Sequence, residues 1–347
     1  MAYISGIQQV GIGCTDASKT FTWLRKTFGL NVKIFDDEAK AALMTHYTGG
    51  KVHARRAILA MNMNGGGGTE IWQFTSRVAG AGNTMNWGDY GINAIKFKST
   101  NVETAYNIIN KNVNCTSPKT GPAGALSFLL KDEAGNQYQV VKDESWFKND
   151  DYMQGGICGV IIGVSNMDAS IAFYQNGFGI NNIVYDVTGK FDDLGEDAKN
   201  KTYRRVLLGF KNPFTGAFSR LLGDVQIELI QALDSQPTKI FKNRFWGDIG
   251  FIHLCFDVSD IKALKTKLEK YEYHFTVDSG DTFDMGESGG RFAYVEDPDG
   301  TLIEMVETHK VPVLKKLGIY FNLKKRKSQK PLPNWMVSLM GLNKVKG

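Results

Sequence analysis

A chain that repeats itself must bury the same faces more than once, and this one repeats. Trp87-Gly88-Asp89-Tyr90-Gly91 returns as Trp246-Gly247-Asp248-Ile249-Gly250, and each copy runs into an apolar strand, Ile92 to Phe97 and Phe251 to Phe256. A second pair sets His53-Ala54-Arg55-Arg56-Ala57-Ile58-Leu59 against Thr202-Tyr203-Arg204-Arg205-Val206-Leu207-Leu208. The offsets, about 150 to 159 residues, divide the chain into two homologous halves, residues 1–142 and 155–308. Asp143 to Gln154 is the polar linker, and residues 309–347 remain as a basic tail.

Each half divides again. A unit opens with a short apolar strand, such as Gln9 to Cys14 or Val160 to Val164, and an amphipathic helix follows. Ala169, Ile171, Ala172, Phe173 and Phe178 form one apolar stripe, and Ile261, Leu264 and Leu268 another at helical spacing. Gly29 and Gly179 suit helix C-caps. The closing strands are Glu70 to Phe74, Gln137 to Val141, Val225 to Ile230 and Thr301 to Val306. The expected fold is therefore α+β, with strand–helix–strands written four times.

Charge narrows the function classes. The net charge is +5, yet from Thr308 onward there are ten lysines and arginines and no acidic residue, so the body is net acidic. A nucleic-acid binder would spread its basic charge over a docking face, and none is expected here. The expectation for the tail is that Trp335, Leu339 and their apolar neighbours pack on the acidic body with the lysines in water, in preference to lying on a membrane. Four scattered cysteines, with no CxxC pair and no N-terminal signal pattern, fit free thiols in the cytoplasm.

Glu296-Asp297-Pro298-Asp299-Gly300-Thr301-Leu302-Ile303-Glu304 is a tight turn that aims a carboxylate along a strand. With the strand and helix of residues 159–174, it resembles the vicinal oxygen chelate superfamily, which includes glyoxalases, bleomycin-resistance proteins and extradiol dioxygenases. The resemblance covers roughly residues 4 to 307. It implies four βαβββ modules whose curved sheets pair into open cups, and a small-molecule substrate.

In that family the metal ligands sit on the first and last strand of each module. Those places are Gln9 and Glu70, Asn93 and Gln139, Gly159 and Glu228, and His253 and Glu304. If module one pairs with four and two with three, one cup holds Gln9, Glu70, His253 and Glu304, the ligand set of glyoxalase I. The resemblance then implies one divalent ion (zinc, nickel, cobalt, manganese or iron) and a lyase or isomerase. Such an enzyme would act on a small carbonyl or hydroxy-carbonyl compound through an enediolate-like anion, with Glu304 or Glu70 moving the proton. Glutathione is not supported, because Gly13 and Ile249 stand where the family places its glutathione-binding arginines. The alternatives are a dioxygenase-like centre on Glu228, His253 and Glu304, and a binding protein without catalysis. The Gly65–Gly68 run reads as a mobile hairpin tip or a lid.

Overall fold

The computed structural model describes residues 4–82, 85–148, 153–280, 283–285, 288–314, 318–323 and 330–345. Module one comprises β1 (Ile4–Cys14), α1 (Ala17–Phe28), β2 (Val32–Lys40), β3 (Ala54–Met61) and β4 (Gly68–Phe74). Module two comprises β5 (Gly91–Ser99), α2 (Val102–Ile109), β6 (Lys119–Thr120), β7 (Leu126–Lys131) and β8 (Gln137–Lys142). Module three comprises β9 (Gln154–Gly163), α3 (Met167–Ala172), β10 (Asn182–Gly189), β11 (Tyr203–Phe210), a short α4 (Ser219–Leu222) and β12 (Val225–Ala232). Module four has β13 (Gly250–Val258), α5 (Ile261–Glu269), β14 (Phe275–Asp278), β15 (Phe283–Met285), β16 (Ser288–Glu296) and β17 (Leu302–Leu314). β18 (Ile319–Asn322) and α6 (Asn334–Ser338) follow.

The four long module helices start by the same chemistry. Asp16, Asn101, Asn166 and Asp260 sit in extended backbone, and each side chain accepts from an N–H three residues on, at Lys19, Thr104, Ala169 and Ala263. Gly29 ends α1 at φ 68°, where a Cβ would be strained.

The modules pair crosswise. Module four and module one form a ten-stranded sheet, β14-β16-β17-β13-β1-β4-β3-β2 with β15 on β16 and β18 on β17. Modules three and two form an eight-stranded sheet, β10-β11-β12-β9-β5-β8-β7-β6. The seams are the antiparallel pairs β1–β13 and β5–β9. The largest core lies where helices and both sheets meet, with Phe28 of α1 stacked on Phe97 of β5 at 3.9 Å. The inner face of each sheet carries a separate apolar lining.

Trp87 and Trp246, 2% and 4% exposed, occupy matching places before β5 and β13. The aspartates beside them explain the repeated motif. Asp89 accepts from Asn86 N within its turn and from Thr238 N in the other half, while Asp248 accepts from Phe245 N and Gly80 N in the same way.

The glycine run differs from the expected mobile tip or lid. Residues 61–70 are buried, and Gly66 N and Gly67 N donate to Leu221 O and Ile157 O. A Cβ on Gly66 would come within 2.7 Å of Gly156 C on β9, so the bare backbone is what lets the two sheets interlock. The basic tail packs partly as expected. Leu332, Val337 and Met340 are buried, but Trp335 is 66% exposed. No described helix is long and apolar enough to cross a membrane.

Candidate metal centre

Cup one, formed by modules one and four, brings Gln9, Glu70, His253 and Glu304 together. Gln9 reaches in from β1, Glu70 from β4, His253 from β13 and Glu304 from β17. Parallel pairing puts Glu70 beside Gly11 and Glu304 beside Cys255, so all four stand on one pleat face at the seam. His253 Nε2 lies 3.4 Å from Glu70 Oε2 and 3.1 Å from Glu304 Oε2. Gln9 Nε2 donates to the same two carboxylates at 3.4 and 3.3 Å. Ligand atoms of Glu70, His253 and Glu304 fall within 4.8 Å of one another. All four residues are buried.

Gly11 makes room for the imidazole, since a Cβ there would stand 2.5 Å from His253 Cε1. Tyr294 Oη lies 3.4 Å from His253 Nδ1 and fixes the ring's other edge. If Nδ1 carries the proton toward Tyr294, Nε2 keeps a bare lone pair facing the carboxylates. Tyr294 was missed by sequence reasoning, because a tyrosine in a strand reads as ordinary core.

The electrostatics ask for a cation. Burial, and then the charge of Glu304, pushes the Glu70 carboxyl up to about 7 against the pull of His253 and Arg55. Burial pulls the His253 imidazole down, but the charges of Glu304 and Glu70 outweigh it and raise it. Gln9 Oε1 is buried without a hydrogen-bond partner, and His253 Nε2 faces the two carboxylates. Two carboxylates, one imidazole and one amide with its oxygen unsatisfied fit a divalent ion of borderline or hard character.

Above the floor opens a cavity of about 360 Å³, walled largely by apolar side chains, among them Phe35, Leu59, Trp72 and Phe292.

Cup two, from modules two and three, corrects two sequence readings. The register shift between Ile92 and Ala94 makes Asn93 a bulge residue. Its amide binds backbone at Gly88, Asp89 and Gly91, and Ala94 takes the place that His253 holds in cup one. The arginine repeat also aligns one residue away from its first reading. The pairing makes Arg56 the counterpart of Arg204, each bound to the matching aspartate, Asp36 or Asp186. Arg205 therefore stands where cup one has Ala57.

Glu228 does not join His253 and Glu304, because it lies in the other sheet. Lys96 Nζ is 2.5 Å from Glu228 Oε2, and Arg205 lies 2.6 Å from Glu228 Oε1 and 2.7 Å from Asp193. Gln139 donates to Ser127 Oγ at 3.0 Å. The one signal that could have exposed this network was Arg205 in phase with Tyr203 and Leu207 on one strand face.

The comparisons with known proteins agree with this geometry. Residues 156–305 match the model of the Glyoxalase/Bleomycin resistance protein/Dioxygenase superfamily. The chain superposes on glyoxalase I from Zea mays with a TM-score of 0.53 and 14% identity, covering 88% of this chain and 92% of that one. A putative dioxygenase from Bacillus subtilis gives a TM-score of 0.56 at 13% identity, with 88% and 86% covered. At these identities the likeness establishes the fold alone. No curated protein matches the sequence.

Proposed function

Starting from a chain whose residues 156–305 match the model of the Glyoxalase/Bleomycin resistance protein/Dioxygenase superfamily, we propose that it is a metal-dependent lyase or isomerase of that superfamily. Its substrate is a small carbonyl or hydroxy-carbonyl compound. The observation that carries this reading is the convergence of Gln9, Glu70, His253 and Glu304 in one buried cup, with Gln9 Oε1 unsatisfied.

A divalent ion held by these four side chains would supply Lewis acidity to a pair of substrate oxygens. The protein supplies the rest. Tyr294 holds the His253 ring in place. The apolar walls exclude water from the floor, which strengthens every charge interaction there. Glu70 or Glu304 takes a proton from the substrate carbon and returns it to the neighbouring one. A carboxylate placed beside the substrate carbon can accept that proton and give it back.

Elemental analysis of the purified protein, followed by proton–deuterium exchange on a panel of 2-oxoaldehydes and 2-hydroxyketones, tests the reading. The expected result is about one divalent ion per chain and metal-dependent exchange at the carbon next to the carbonyl. A folded protein that takes up no divalent ion would leave a binding protein as the better description.

A further inference from the structure

We propose that cup one takes an uncharged substrate with a hydrophobic body, aromatic or branched alkyl, whose strongly polar part is confined to a vicinal pair of oxygens. The class deepens the proposed function and rests on its metal reading, but the wall that selects it can be tested without the metal.

The cavity separates its chemistry by depth. Its floor holds Gln9, Glu70 and Glu304, and its walls are largely apolar. Phe35, Leu59, Trp72 and Phe292 come from the cup's own modules. Phe218 and Leu222 come from module three, on the segment between β11 and β12, and Met340 comes from the C-terminal segment. Each of these seven side chains is buried.

That outer wall is built, not loosely draped. The Asn212 side chain donates to Ser5 O, Ser219 O and Gly223 O, which ties the module-three segment to β1. Leu332 N donates to Ala217 O, and Val345 N to Asn31 O, so the C-terminal segment is pinned at both ends. The matching segment of the first half, between β3 and β4, is the glycine run, which reaches β9 instead.

Among the described residues of the buried wall, the two cations are already held by carboxylates. Arg55 pairs with Asp37 at 3.0 Å and Arg291 with Asp278 at 2.7 Å. Lys40 stands at the mouth but is exposed, where water and salt screen it. A divalent ion between Glu70 and Glu304 would leave the floor without net charge. A carboxylate, phosphate or glutathionyl group on the substrate would therefore be desolvated against apolar side chains with no partner. Apolar bulk gains affinity instead, at about fourfold per buried methylene.

The probes are catechol, 4-tert-butylcatechol and 3,4-dihydroxybenzoate, titrated anaerobically by calorimetry into zinc-loaded and EDTA-treated full-length protein. The tert-butyl compound should bind at least tenfold more tightly than catechol, and the benzoate no better than catechol. Met340→Asp should weaken the tert-butyl compound at least tenfold with zinc content unchanged, and Met340→Leu should keep its affinity. The probe order on the unaltered chain decides the matter even if Met340→Asp loosens the tail. Benzoate binding as tightly as the tert-butyl compound would overturn the proposal. If no zinc is held but the tert-butyl preference persists, the substrate class stands and the metal reading falls. If zinc is held and the order is reversed, the class falls and the metal reading stands.

Discussion

Glu70 and Glu228 occupy the same place in two sheets, beside Gly11 in one and Ile161 in the other. Their surroundings push them apart. Burial and Glu304 push Glu70 up to about 7. Burial would raise Glu228 too, but Arg205 and Lys96 outweigh it and bring that carboxyl down to about 2. Cup one gathers carboxylates around an imidazole. Cup two places Lys96 where cup one has Cys255, and Arg205 where it has Ala57. One scaffold thus treats buried negative charge in two ways: cup two carries covalent cations against its carboxylate, and cup one sets its carboxylates around an imidazole.

The contrast can be broken experimentally, most forcefully in cup two. Glu228→Gln leaves Lys96 and Arg205 short of a partner in a dry interior, and stability should fall by about 3–5 kcal/mol. Urea unfolding checks the loss, and metal content should stay at one per chain. A variant that kept full stability would show that the network is not what holds cup two together.

Next come the cup-one ligands. His253→Ala and Glu304→Gln should each lower metal affinity by about tenfold or more, read by competition with a chelating dye. His274→Ala, outside the cup, should change it little. Full metal occupancy in both cup-one variants would remove the site assignment.

Acidity should act on cup one in a defined direction. Glu70 and His253 both have raised values, so each must lose a proton before it can hold an ion. Without metal, the stability that Glu70 contributes is fully present below its ordinary value of 4.5 and is lost as pH rises through about 7. Metal affinity runs the other way. It should rise through neutral pH and fall by about tenfold per pH unit below 7 for each proton displaced. Affinity that stayed flat between pH 5.5 and 8 would contradict the proton competition.

The smallest effect tests the duplication. Arg56 and Arg204 make matching surface pairs with Asp36 and Asp186. Replacing either by alanine should cost at most about 1 kcal/mol, and by similar amounts. Thermal melts in low and high salt would show both losses shrinking together.

Much of this was legible in the residues. The turn before Leu302 carried the family resemblance, the resemblance implied the ligand places, and crossed pairing grouped Gln9, Glu70, His253 and Glu304 in one cup. The errors have physical causes. A bulge breaks the two-residue period, so counting along β5 stopped at Asn93 and not Ala94. Nothing near Lys96 in the sequence marks it as buried, because its partner Glu228 comes from module three. The glycine run looked mobile because its contacts, Ile7, Gly156 and Leu221, are far away in the chain. Local pattern reports what a segment needs of its neighbours, and here the neighbours were far off in the chain.

Crossed pairing also sets a clock on synthesis. Modules two and three are adjacent in the chain, and their sheet can close while the ribosome is still making module four. Cup one is split between the two ends. Gln9 and Glu70 emerge early and must wait for His253 and Glu304. Until then β1 presents an unpaired edge where β13 belongs. A nascent or truncated chain that ends before Gly250 would carry a finished second cup and half of the first. Its vulnerable surface would be the seam that later becomes the floor of the active cavity.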